Sequence, residues 1–375
     1  MGQVKMSSTS NIAIITAYNP QNSGMYSVDL AAISFFSELN INHTFFLSQS
    51  RKGRISKYLP FLNPYELKFG SLQHQLLISS KQLMGFSHIV YWGDFLNNPR
   101  YGTSDFASRD VGLGHSNANI DAFHRWEDIF LLKNFSSDAR ILAIGGNFQH
   151  LFDESEKDLL KSFLAKAHLV LPRDPHSYNN LKSLASSPSN LLQGMDCAFL
   201  LPKLNINSNE ADYFCYEFGR SSLLETCHLI KSIEAATGLK GIPLAKWLRL
   251  KSRGADKVFK QQRRLLAMAQ FVVTDIYHLS INSMNCGVPV YCLGQRASEQ
   301  SGTLGDFKKR QLLSMVGLDN FYYEVGADYI SDYDRIARSV AHLKVRKSKE
   351  WQEHLKKIDQ LKDEFRSNIV SALLN

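Results

Sequence analysis

Short apolar, β-branched runs alternate with amphipathic stretches along this chain. The first run, Asn11-Ile-Ala-Ile-Ile-Thr-Ala-Tyr18, ends in the turn-forming segment Asn19–Gly24. A helix is expected from Ser27 to Leu39, with Val28, Ala31, Ala32, Phe35 and Leu39 on one face. Buried strand, polar loop and helix open an α/β domain. The pattern returns at Ser87–Trp92, which ends at Gly93-Asp94, and at Ala139–Ile144, which ends at Gly145-Gly146-Asn147.

A second series is expected from Ala167–Leu171, followed by Pro172-Arg173-Asp174 and a helix to Leu184, because proline suits a first helical turn. Ala211–Phe218 reads as a strand and Ser221–Thr237 as a helix closed by Gly238. Gln262–Ala269 is helical, Phe271–Thr274 a strand, Leu279–Asn285 a short helix stopped by Gly287, and Val288–Leu293 a strand. Strands alternating with helices, twice over, predict two Rossmann-like parallel-sheet lobes facing a cleft. The expected boundaries are 1–165 for an N-terminal, acceptor-side lobe and 166–345 for a C-terminal, donor-binding lobe. Residues 346–375 read as a charged amphipathic helix.

Composition narrows the class. The chain has 375 residues, too many for one ordinary core, and its 44% hydrophobic and 21% charged content is that of a globular protein. No apolar run approaches the roughly 20 residues that span a bilayer, and the first residues lack the pattern of a signal peptide. Five scattered cysteines without a CxxC pair argue against a disulfide framework or a zinc site and fit a reducing cytoplasm. No paired-histidine pattern suggests a metal. The net charge of +8 gathers at Lys246–Arg264 and Lys344–Lys357. No nucleic-acid motif accompanies it, so solvated helix faces, anionic substrates and membrane headgroups are the readings left.

Ligands of open parallel sheets sit at the carboxyl ends of strands. Five polar segments occupy such ends: Asn19–Gly24, Gly93-Asp94, Gly145–Asn147, Arg173-Asp174 and Thr274–His278. Gly145-Gly146 could let a backbone approach an anion, or could serve only a tight turn. Arg173 could hold a carboxylate or phosphate in a bidentate fork, or pair with Asp174. His278, at the start of a short helix, could bind an anion or donate a proton, with Asp275 as a helix cap. The absence of GxxxxGK[ST] and GxGxxG argues against P-loop and dinucleotide enzymes.

Taken in order, these segments resemble the polysaccharide pyruvyl transferase family. The resemblance lies in Asn22-Ser-Gly-Met25 with Asp29, Ile144-Gly-Gly-Asn-Phe148, Leu171-Pro-Arg-Asp174 with Ser177, Gly194-Met-Asp196 with Ala198-Phe-Leu200, and Val273–His278 running to Gly287–Val290. It implies a GT-B-like fold and a cytoplasmic enzyme of capsule, exopolysaccharide or other surface-glycan synthesis. The implied activity moves the pyruvyl group of phosphoenolpyruvate onto two hydroxyls of one sugar as a ketal, without metal or other cofactor. By resemblance Arg173 and His278 bind the donor, with Gly145, Gly146 and Asn147 beside them. His278 and Asp94 are the implied catalytic pair, and Asn22, Gly24 and Asp94 face the acceptor. A lipid-linked acceptor would bring the basic face to the inner membrane surface. The family usually has an arginine two residues before the histidine, where this chain has Ile276. Arg296, Lys308, Lys309 or Arg310 could replace that charge. A glycosyltransferase of the same architecture using a nucleotide sugar, and a glycan-binding member without turnover, are the rival readings.

Overall fold

The computed structural model describes residues 11–17, 22–49, 74–185, 188–204, 211–245, 247–250, 255–295, 304–342 and 348–374. Its strands form two separate parallel sheets. The first contains β1 (Asn11–Thr16), β2 (Asn42–Leu47), β3 (His74–Leu76), β4 (His88–Trp92), β5 (Arg140–Gly146) and β6 (Leu169–Pro172) in the order β3-β2-β1-β4-β5-β6. The second contains β7 (Tyr213–Glu217), β8 (Lys240–Pro243), β9 (Val272–Thr274), β10 (Val290–Gln295) and β11 (Tyr322–Val325) in the order β11-β10-β9-β7-β8. The expected two parallel α/β lobes are therefore present.

Burial explains the strand pattern. Ile12, Ala13, Ile14 and Ile15 of β1 are wholly buried, as both faces of a parallel sheet require. Above that strand Phe35 and Phe36 of helix α1 (Ser23–Leu39) lie 5.5 and 5.4 Å from the Trp92 ring, and Trp92 Nε1 donates to the Val28 carbonyl at 3.1 Å. In the second sheet Phe214 stacks on Phe271 at 5.0 Å, which ties β7 to the entry of β9. The helix Lys349–Leu374 matches the expected tail; Trp351 is buried and donates to the Gly287 carbonyl.

Two expectations need correction. Helix α1 begins at Ser23, not Ser27, because the Asn22 side chain accepts the Gly24 amide at 2.9 Å, as an N-cap does. The strand Leu169–Pro172, expected to open the second lobe, pairs with β5 through Leu142–Leu169, Ala143–Val170 and Ile144–Leu171. The cause is an unforeseen helix, Glu154–Lys166, which starts at a capping box of Asp153 and Glu156 and makes an ordinary crossover between parallel neighbours. Contacts accordingly divide the chain into one unit holding Val28–Leu201, β1 and Asp363–Asn375, and another holding Asn22–Ser27 and Pro202–Lys362. The strands β2, β3, β8 and β11 were also not foreseen. They are edge or near-edge strands, and β3 and β8 have no fully buried residue.

Candidate functional site

Each sheet has one place where its winding reverses, between β1 and β4 in the first and between β7 and β9 in the second. Loops leaving adjacent strands diverge there, which opens a crevice at the carboxyl edge. The sequence candidates cluster near these points.

In the first unit the ends of β4, β5 and β6 are laced together by their backbones. Gly93 N–H donates to the Ile144 carbonyl, Asn147 N–H to Asp94, and Arg173 N–H to Gly146, at 2.7, 2.8 and 2.9 Å. Asp94 takes up a left-handed backbone (φ 58°), unusual for a residue with a side chain and typical of strained positions at sites. Gly145 is also left-handed, and a Cβ there would lie 2.5 Å from Cys197 Sγ and 3.2 Å from the Cys197 amide nitrogen. Gly146 leaves room for the Phe148 ring, which a Cβ would meet at 2.9 Å. The amides of Phe148 and Gln149 are engaged too, by Ser177 Oγ and Asn147 Oδ1. The glycine pair thus serves a turn and close packing, and the next long helix starts only at Glu154. The Phe148 and Gln149 amides are therefore not free to hold an anion.

Arg173 follows β6 and is 1% exposed. Its Nε lies 3.5 Å from Asp174 Oδ2, its Nη1 lies 3.7 Å from Asp196 Oδ2, and its guanidinium carbon is 5.5 Å from the Phe95 ring centre. Both carboxylates also hold backbone. Asp174 accepts the Ser177 amide at 2.7 Å to cap the helix Pro175–Lys182, and Asp196 accepts the Ala198 amide at 2.9 Å. The charge of Arg173 is therefore balanced within the protein by two acids that order the strand-end loops. His150, passed over in the sequence, belongs to this cluster. Its ring is 6.1 Å from Phe95, and burial, then Arg100, holds its pKa below the usual histidine value, with Arg173 adding to the effect.

In the second unit His278 is the second residue of the helix Tyr277–Asn285. The Asn22–Ser27 segment packs directly on it. A Cβ on Gly24 would lie 2.5 Å from both Cβ and Cγ of His278, so only glycine fits. Asn282, one turn further along, donates to the His278 carbonyl at 2.8 Å and to Ser27 Oγ at 3.1 Å, and Ser27 in turn donates to the Gly24 carbonyl. Asn22 and Gly24 thus lie in the same unit as His278, whereas Asp94 and Arg173 lie in the other. The expectation that Arg173 and His278 rise from one sheet is overturned by the pairing of β6.

The charges offered in place of the missing arginine separate clearly. Ile276 is 3% exposed and precedes the helix without side-chain capping. Lys308 places its ammonium 5.4 Å from the centre of the Tyr277 ring, and the His278 ring lies 5.2 Å from the same ring. Lys309 is buried and spent: Nζ donates to Ser221 Oγ at 2.5 Å, to the Leu293 carbonyl at 2.7 Å and to the Asp275 carbonyl at 3.0 Å, and pairs with Asp306. Arg310 is exposed and lies 3.9 Å from Glu324. Arg296 lies outside the described residues.

Asp275, expected to cap the helix, does not do so; it bridges the switch point. Its carboxylate accepts the amides of Gly219, Arg220 and Ser221, at 3.0, 2.8 and 2.7 Å, so the loops after β7 and β9 are joined. Beside it stands Glu217, the last residue of β7, which the sequence reading missed. Burial and the neighbouring Asp275 push its carboxyl up to about 7. A polar residue closing a strand just before Phe218-Gly219 was the available signal.

Among the described residues no group of histidine, cysteine and acidic side chains could hold a metal ion, and no helix is long and apolar enough to cross a membrane. All five cysteines are free.

Among curated proteins no sequence matches this one. Solved structures resemble it at low identity. An uncharacterized protein of Klebsiella pneumoniae is 14% identical, with 85% of this chain and 94% of that one covered and a TM-score of 0.45. The UDP-GlcNAc 2-epimerase of Methanocaldococcus jannaschii is 11% identical over 90% of this chain and 93% of its own, with a TM-score of 0.46. A putative UDP-N-acetylglucosamine 2-epimerase of Listeria monocytogenes is 10% identical over 96% and 97%, with a TM-score of 0.49. The family model for polysaccharide pyruvyl transferase matches residues 30–296, which include the strand ends of both sheets, from Asp94 through Arg173 to His278. With most of its length matched by that one model, this chain belongs to the polysaccharide pyruvyl transferase family.

Proposed function

We propose that this protein transfers the pyruvyl group of phosphoenolpyruvate to two hydroxyls of a sugar in a surface polysaccharide or its precursor, forming a cyclic ketal. The family match over residues 30–296 carries the reading. The arrangement around His278 supports it. The donor has a carboxylate and a phosphate, and each needs a positive group nearby. His278 and Lys308 flank the Tyr277 ring at a helix start, where backbone amides favour negative charge. In this reading Lys308 stands in for the guanidinium that Ile276 lacks. Arg173, enclosed by Asp174, Asp196 and Phe95, orders the strand-end loops of the first unit.

Donor identity is tested by thermal shift of the full chain with phosphoenolpyruvate, and separately with UDP-sugars. Stabilisation by phosphoenolpyruvate alone, reduced in His278→Ala and in Lys308→Ala, supports the proposal. A shift with a UDP-sugar and none with phosphoenolpyruvate would replace it with the nucleotide-sugar reading.

A further inference from the structure

Three acids meet at the switch point of the second sheet, and two of them are fully occupied. Asp275 accepts three backbone amides. Asp306 pairs with Lys309 and accepts Ser221 Oγ at 2.6 Å. Glu217 is different. Its carbonyl accepts Thr274 Oγ1 at 2.7 Å, but its carboxyl has no hydrogen-bond or ion-pair partner among the described residues. A half-buried carboxyl at a strand end without a structural bond is not explained by the fold.

Its direction follows from strand register. Glu217 is aligned with Thr274 of β9, and Thr274 with Cys292 of β10, so the three side chains share one face of the sheet. The helix Tyr277–Asn285 covers that face, since Ser280 Oγ donates to Cys292 Sγ. Glu217 therefore emerges at the carboxyl edge on the side where that helix begins, with Tyr277 and His278 in its first turn. The charge acting on its carboxyl is Asp275, from the loop after β9, whose own carbonyl accepts Lys309 Nζ and whose carboxylate accepts the Arg220 backbone amide. From β8, the neighbour on the other side, the residue nearest this edge is Pro243, aligned with Tyr216.

We propose that Glu217 is the general acid that protonates the methylene carbon of the enolpyruvyl donor, an assignment that rests on the donor proposed above. The double bond of phosphoenolpyruvate takes the carboxyl proton at its terminal carbon, leaving a Glu217 carboxylate and a cation at the adjacent carbon. A sugar hydroxyl oxygen bonds to that carbon and its proton returns to Glu217. The second hydroxyl then bonds to the same carbon as the bond to phosphate breaks, and its proton leaves with the phosphate. One donor and two hydroxyls become one ketal and one inorganic phosphate, with Glu217 regenerated. A carboxyl that titrates near neutrality, as burial and Asp275 arrange here, is protonated often enough to donate and acidic enough to do so.

The test is calorimetric titration of phosphoenolpyruvate into the full chain and into Glu217→Gln between pH 6 and 8.5. Above pH 7 a carboxylate would repel the anionic donor. The wild-type Kd is expected to rise about tenfold more over this range than that of Glu217→Gln, with equal Kd at pH 6. With methyl glycosides offering paired hydroxyls as acceptors, Glu217→Gln is expected to release phosphate at least ~100-fold more slowly. Equal pH slopes in the two proteins, or unchanged phosphate release, overturn the assignment while leaving the donor reading standing. No binding of phosphoenolpyruvate to the wild type at any pH removes the donor reading, and the Glu217 assignment with it. Glu217→Ala serves if the glutamine variant does not fold, with the same expected flattening.

Discussion

Gly24→Ala tests the packing that holds His278. The added methyl would sit 2.5 Å from both Cβ and Cγ of His278, about 1 Å inside ordinary van der Waals contact. Rotating the imidazole could relieve the contact with Cγ only in part and cannot relieve the one with Cβ, which is fixed to the helix Tyr277–Asn285. The first turn of α1 or of that helix must therefore shift. Asn282 resists the shift through its bonds to the His278 carbonyl and Ser27 Oγ. Overpacking of this kind costs about 1–3 kcal/mol, against a gain of under 1 kcal/mol from replacing a helical glycine. Urea unfolding of Gly24→Ala, His278→Gly and the double variant measures it. The histidine change removes all three atoms that clash, Cβ, Cγ and Nδ1, so the double variant should recover about 1 kcal/mol or more relative to the sum of the single changes. Strict additivity, or a neutral Gly24→Ala, would refute the inferred contact. Phosphoenolpyruvate affinity should fall in Gly24→Ala, because the ring proposed to meet the donor has moved.

Glu217→Gln should change stability with a defined pH sign. The folded-state pKa, raised from 4.5 to about 7, favours the protonated form, so folding loses stability as pH climbs from 4.5 through 7. At about 1.4 kcal/mol per unit, discounted by half for solvent screening, the variant should be about 1–2 kcal/mol better off relative to wild type at pH 8 than at pH 4.5; a constant difference across that range would contradict the shift. Lys309→Met leaves Asp306 and the Leu293 and Asp275 carbonyls without their buried cation, and should cost about 3–5 kcal/mol by chemical denaturation. Gly145→Ala combines a left-handed backbone (φ 67°) with a methyl 2.5 Å from Cys197 Sγ. It should cost about 2–4 kcal/mol, partly recovered by Cys197→Ala, as thermal unfolding would show. Arg173→Ala should unfold at markedly lower temperature than wild type, since it strands Asp174 and Asp196 in the interior; wild-type stability would place those carboxylates elsewhere.

The sequence alone determined the central strands, the two-sheet plan and the residues at the strand tips. That is because both faces of a parallel strand must be buried, so β1, β4, β5, β9 and β10 are written as unbroken apolar runs that end abruptly at polar turns. The capping proline after Asp174 and the glycines at 238 and 287 marked helix ends by local backbone chemistry, and they lie where helices start or stop. Edge strands such as Lys240–Pro243 escaped notice because one side of them is not fully buried and their composition carries little pattern.

Tertiary structure alone decided partnership. An apolar strand does not encode which sheet it joins; the edge left open by β5 took Leu169–Pro172, and with it Arg173 moved into the first unit. The same holds for charge. Lys308 and Lys309 are adjacent in sequence, yet one reaches the Tyr277 ring beside His278 while the other is buried under four acceptors. Helical rotation of about 100° per residue turns neighbouring side chains to different surroundings. Glu217 acquired its raised pKa only when folding set it half-buried beside Asp275, two residues that lie far apart along the chain.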